Sequence, residues 1–240
     1  MISILAVKTV MQEQAKGLAK KLGLKFEDYQ ILQEALTHRS YLNENRDYEF
    51  PHNERLEFLG DAVLELSVTE YLFANYKNPE GDLTNWRAAL VNGEMLAKIG
   101  QEIEIEEFLL MSRGESKDTG KARQYILANA MEAIIGAIHL DLGYREADKF
   151  INKYIISKLS NVLETKSYRD PKSYFQEKAQ EIDQVTPHYE VVKEWGPDHD
   201  KKFSVAVFLG KEKVAEGEGE SKQEAQRNAA IAGLKARGWE

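Results

Sequence analysis

Three carboxylates fall close together at the head of one helix-patterned run: Glu54, Glu57 and Asp61, within His52-Asn53-Glu54-Arg55-Leu56-Glu57-Phe58-Leu59-Gly60-Asp61-Ala62-Val63-Leu64. Spacings of three and four put all three on one stripe of an α-helix. Leu56, Phe58, Leu59, Val63 and Leu64 flank that stripe with surface that favours burial. Like charges so placed repel by about 0.2–0.5 kcal/mol per pair, and by more when partly desolvated. A divalent cation turns this repulsion into a binding site, since magnesium takes hard oxygen ligands, and the chemistry it offers is activation of water. A solvated acidic face is the other reading of this segment. Glu132 keeps different company. It is the one acid in the apolar run Ile126–Ala137, with Asn129 three residues before it on the same face. A lone Glu there is costly unless it is paired or metal-bound. An arginine such as Arg87, Arg113 or Arg123 could satisfy it; two acid-bearing helices meeting at one cation is the more economical account. None of the five histidines stands in an HExxH spacing, and the absence of cysteine removes thiolate zinc sites, cysteine nucleophiles and disulfides.

These groups need rigid elements to hold them. At 240 residues, 42% hydrophobic and 30% charged, the chain can bury a core and has length for two domains. Residues 11 to about 158 carry apolar residues at helical spacing, notably in Asn53–Tyr76, Leu83–Gly100, Tyr125–Leu142 and Tyr144–Leu159. Asp170-Pro171 then starts one more helix, to Ile182. After Pro187 the period becomes two, in His188–Val191, Phe203–Leu209 and Lys213–Gly217, before Ser221 caps a last helix with Ala225, Ala229, Ala230 and Leu234 inward. The expected fold is α+β overall: an all-α domain over 1–160, a linker over 161–169, and an α-β-β-β-α domain over 170–240. No apolar run approaches the roughly 18–20 residues of a membrane span. MISILAVKTVMQ lacks a basic lead and a cleavage pattern, so a cytoplasmic setting is expected. Residues 1–10 suggest only a lead-in or a hydrophobic staple. The net charge of −8 argues against bulk attraction to nucleic acid, so phosphate contacts must come from a few placed cations.

His52–Leu64 resembles the long motif of the ribonuclease III family. Ala35–Asn45, Pro79–Asn92, Leu109–Glu115 and Ile126–Asp141 resemble further blocks of it, in the family's order. The C-terminal unit, ending Ser221–Ala230, resembles its double-stranded-RNA-binding domain. The resemblance implies an endoribonuclease that hydrolyses phosphodiesters of double-stranded RNA, with 5′-phosphate and 3′-hydroxyl products, short 3′ overhangs, and roles in ribosomal RNA precursor processing and RNA turnover. It implies magnesium, with manganese as a substitute, held at Glu57, Asp61, Asn129 and Glu132, with Asp61 and Glu132 the catalytic pair. Glu54 and Glu80 match acids that arrange the RNA near the site, although Pro-Glu-Gly-Asp is also an ordinary turn and helix start. Phe58 matches a homodimer contact, or else belongs to the core. Gln176, Glu177, His199, Lys222 and Arg227 match RNA contacts.

The chain departs from the family in three ways. Asn129 stands where Asp is usual, which removes one negative charge, and Tyr125 where Ser is frequent. The last helix starts with few basic residues, and residues 170–240 hold 11 basic against 14 acidic. The alternative reading is a non-cleaving double-stranded-RNA-binding protein with a metal site weakened by Asn129. Either way the implied partners are double-stranded RNA and a second copy of the chain, with no membrane.

Overall fold

Asp28, Asn92, Asp170 and Ser221 each turn a side-chain oxygen onto a backbone N–H of the helix that follows, at 2.8, 2.9, 2.8 and 3.2 Å. Such caps satisfy amides that have no partner inside the helix. In the computed structural model, which describes residues 4–197 and 201–239, they open α2 (Tyr29–Ala35), α6 (Gly93–Glu102), α10 (Pro171–Ile182) and α11 (Lys222–Arg237). The chain divides into two compact units between Tyr168 and Arg169.

The first unit is helical. It comprises α1 (Ile4–Leu22), α2, α3 (Arg39–Glu44), α4 (Glu54–Asn75), α5 (Glu80–Val91), α6, α7 (Lys121–Leu142), α8 (Tyr144–Tyr154) and α9 (Leu159–Glu164), with short 3-10 turns between some of them. α7 is its axis. Ile126 to Ala128, Ala130, Met131 and Ala133 to Ile138 are buried on it, against Leu64, Leu72, Leu96 and others. By length and composition α7 could cross a membrane, contrary to the expectation that no segment could. Its apolar side chains are instead spent on this unit's own core.

The structure corrects several expectations. Helix begins at Ile4, so the N-terminal residues from there are part of α1 rather than a lead-in. The helix expected over Leu83–Gly100 is two helices, because Asn92 adopts an extended conformation and caps α6. Tyr144–Leu159 likewise breaks, at Ile155. Part of the segment expected as a linker is helical: α9 runs to Glu164 with Val162 fully buried, and the Tyr168 ring packs edge-on to Trp86 at 6.1 Å.

The second unit is an antiparallel sheet of β1 (Pro187–Trp195), β2 (Lys202–Leu209) and β3 (Glu212–Gly219), in that order, with α10 and α11 against it. Its core is Phe175, Ala179, Val207, Leu209, Ala229, Ala230 and Leu234. A methyl group on Gly217 would lie 2.1 Å from the Ala229 nitrogen, so β3 lies backbone to backbone against α11.

Candidate active site and nucleic-acid interface

The entry to α4 is fixed from outside the helix. Asn53 is buried; its N–H donates to the Thr37 carbonyl at 2.9 Å and its amide to the Ala35 carbonyl at 3.3 Å. The turn after α2 therefore sets where Glu54 and Glu57 emerge. α4 then crosses α7, and glycines make the crossing close. A Cβ on Gly60 would lie 1.7 Å from the Glu132 carbonyl oxygen, and one on Gly136 would lie 2.3 Å from that of Leu56. No side chain fits between the helices there. The contact brings the stripe of Glu57 and Asp61 beside Asn129 and Glu132.

The acids sense one another. Burial, then the charges of Asp61 and Glu57, push the Glu132 carboxyl up to about 7. Glu57 is raised by burial first, then by Glu54 and Asp61, while a hydrogen bond from the Asn129 side chain draws it back down. Asn129 thus relieves repulsion where a fourth carboxylate would add to it. Among the described residues, the charges that bear on Glu132 are those of Asp61 and Glu57, with no arginine beside them. Arg87 bonds Thr69 at 3.0 Å and reaches Glu65 at 3.6 Å, and Arg123 pairs with Glu106. Among the described residues no three acidic or histidine side chains converge into a ready-made cation cage. Glu57, Asp61 and Glu132 are nonetheless within electrostatic reach of one another.

The remaining expected residues divide. Glu54 lies at the edge of the group, 3.5 Å from Arg39 and 3.8 Å from His52. Glu80 is exposed in the first turn of α5, and no described hydrogen bond or ion pair joins it to the acids. Phe58 is 83% exposed, so it is not a core residue. Beside it lies a cavity of about 690 Å³ whose lining includes Ile31, Leu56, Leu59 and Leu140. Tyr125, also exposed, stands one turn before Asn129 on the same face of α7.

In the second unit, Gln176 and Glu177 are exposed on α10. Gln176 lines a cleft of about 470 Å³ together with Lys172, Ser173, Tyr189, Gln223 and Arg227. Lys222 begins α11 but is engaged, 3.1 Å from Glu194. His199 lies outside the described residues.

The comparisons with known proteins follow the same division. Residues 28–159 match the family model described as Ribonuclease-III-like, and residues 171–236 match the double-stranded RNA binding motif. The chain belongs to the ribonuclease III family. It is 38% identical to Ribonuclease 3 of Borreliella afzelii, over 93% of this chain and 91% of that one. It is 41% identical to Ribonuclease 3 of Myxococcus xanthus, over 92% and 86% respectively. Among solved structures, the nuclease domain of ribonuclease III from Campylobacter jejuni matches with a TM-score of 0.53 and 44% identity, over 60% of this chain and 94% of that domain. A second structure of that domain, described for structural flexibility in a region involved in dimer formation, gives a TM-score of 0.52 and 46% identity over 57% and 93%. By family the enzyme class is that of a double-strand-specific endoribonuclease.

The crossing of Gly60 and Gly136 escapes sequence reasoning about the site. Its signal is visible afterwards: glycines inside two otherwise good helical patterns, each one turn from a carboxylate.

Proposed function

We propose that this family member hydrolyses phosphodiesters in double-stranded RNA with magnesium as its cation, manganese being able to substitute. The products carry 5′-phosphates and 3′-hydroxyls with short 3′ overhangs, and the working unit is a cytoplasmic homodimer that processes ribosomal RNA precursors and turns over structured RNA. The observation that carries this reading is the shared electrostatic field of Glu57, Asp61 and Glu132 across the α4–α7 crossing. The donor set fits a hard divalent cation: carboxylate oxygens at mutual electrostatic cost, an amide, and, among the described residues, no arginine to offset them at Glu132. Glu57, Asp61 and Glu132 would hold the ion, with Asn129 as an amide-side partner. When bound, such an ion supplies positive charge at phosphoryl oxygens and lowers the pKa of nearby water. The Glu132 carboxyl, raised to about 7, carries a proton in part of the population near neutrality, and a bound cation would favour its carboxylate form. Asp61 and Glu57 fix where the reacting phosphate can lie. Glu54 and Glu80 would meet the RNA near the site.

Two features support the dimer. Phe58 projects from α4 and lines a cavity in which Ile31, Leu56, Leu59 and Leu140 form an apolar patch beside the charged or polar Glu34, His52, Glu54 and Arg55. A knob and a socket on the same face are what a two-fold interface requires, since each copy must offer both halves. The lack of cysteine suits a reducing compartment. In the second unit, Gln176, Glu177, Lys222 and Arg227 would meet the duplex through its 2′-hydroxyls and phosphates.

The test is cleavage of a long RNA duplex across a magnesium series. Wild type should cut, Glu132→Ala should not, and Asn129→Asp should lower the magnesium requirement by adding a negative ligand. Wild type that binds duplex without cutting at any magnesium level, with cutting restored by Asn129→Asp, would make the chain a binding protein instead.

A further inference from the structure

Lys222 occupies the first position of α11, where the helix dipole disfavours a cation. Its ammonium has an anionic partner within the protein itself. The Glu194 carboxylate, near the end of β1, takes Lys222 on one oxygen at 3.1 Å and Lys201 on the other at 3.3 Å. The Lys222 ammonium also lies 5.5 Å from the centre of the Phe203 ring, and Phe203 is the residue paired with Glu194 across the sheet. We propose that Glu194 is a built-in competitor of RNA phosphate: it occupies two of the lysines at this end of the sheet, Lys201 and Lys222, so duplex must displace it or bind without them. The inference rests on the reading that the second unit binds double-stranded RNA.

Both lysines hold the Glu194 carboxyl below its ordinary range, which is the mark of a carboxylate bound by cations. Glu194 and Lys222 are exposed, so a phosphate can reach them. Ion pairs in such settings are weak, and this one therefore attenuates binding rather than blocking it. Other cations of this unit differ. Arg227 faces the cleft between α10 and α11 and makes no ion pair among the described residues, while Lys172 donates to Gln226 at 2.6 Å. Arg227 is thus available from the outset, and Lys222 only in exchange for Glu194. A unit that is acidic overall holds two of its cations in reserve.

Neutralising Glu194 should release them. Binding of a short RNA duplex to the full chain is measured in divalent-free buffer, so that nothing is cut, by fluorescence anisotropy over a series of salt concentrations. Glu194→Gln should tighten binding about three- to tenfold near 100 mM salt and steepen the slope of log K against log salt by about one to two, one for each further phosphate that a freed lysine neutralises. Lys222→Ala should cost more affinity in the Glu194→Gln background than in wild type, and there remove most of the improvement. Glu190→Gln removes the same charge from the same strand, but there the neighbour is His188, at 3.5 Å; it should change affinity less than twofold. An unchanged slope in Glu194→Gln, or an equal improvement from Glu190→Gln, overturns the proposal. Absence of duplex binding by every variant and by wild type overturns the RNA-binding reading itself, and the proposal with it.

Discussion

Glu132 is a carboxylate whose proton is set by its neighbours. Its pKa is raised from 4.5 to about 7, first by burial and then by Asp61 and Glu57. Between those values the folded protein binds a proton that the unfolded chain has lost, so stability falls as pH rises through the interval and levels above it. In divalent-free buffer, melting from about pH 5 to 8 should show a loss of about 1–2 kcal/mol, a figure reduced for solvent screening at a half-buried site. Glu132→Gln should flatten that dependence. Magnesium binding must expel the same proton, so calorimetry should find affinity rising with pH up to about 7 and little thereafter. A pH-independent affinity would separate Glu132 from the ion.

At the scale of the element, the site depends on two helices touching without side chains between them. Gly60→Ala would put a methyl group 1.7 Å from the Glu132 carbonyl, and Gly136→Ala would put one 2.3 Å from that of Leu56. Backbone cannot rotate aside as a side chain would, so each should cost about 3 kcal/mol, the upper range for overpacking. Where the fold survives, the acids should be pushed apart and cleavage lost. Gly81→Ala is the contrast. It lies within α5 with nothing near the added carbon, and it should stabilise by about 0.5–1 kcal/mol through helix propensity alone. Chemical denaturation of the three variants checks both signs.

For the whole molecule, the question is how many copies make a working enzyme. Phe58 is exposed in one copy, so Phe58→Ala should leave the melting temperature of a dilute, monomeric sample nearly unchanged. It should instead weaken self-association by about 2 kcal/mol, some thirtyfold, as removal of a central aromatic anchor does. Sedimentation equilibrium reads this directly. A fall in monomer stability with no change in association would return Phe58 to a structural role. The two units, each with its own hydrophobic core, separate the labour: one holds the acids, the other carries the RNA-binding motif.

Local signals were legible in the residues. Asp170-Pro171 and Ser221 start helices where such residues should, the period of two after Pro187 marks three strands, and the spacing of Glu54, Glu57 and Asp61 gives a stripe. Each depends on neighbours a few positions away, which sequence states outright. The break at Asn92 was not legible, because apolar spacing continues across it while one residue turns extended to cap the next helix. Nor was the partner of Lys222, since an ion pair between the start of α11 and the end of β1 follows from how the helix packs beside the sheet and not from spacing. Sequence by itself determined which side chains could bind a cation and which helices carry them. Only tertiary packing decided that they share one field, because that requires two backbones to come within a methyl group's width, at glycines far apart in the chain.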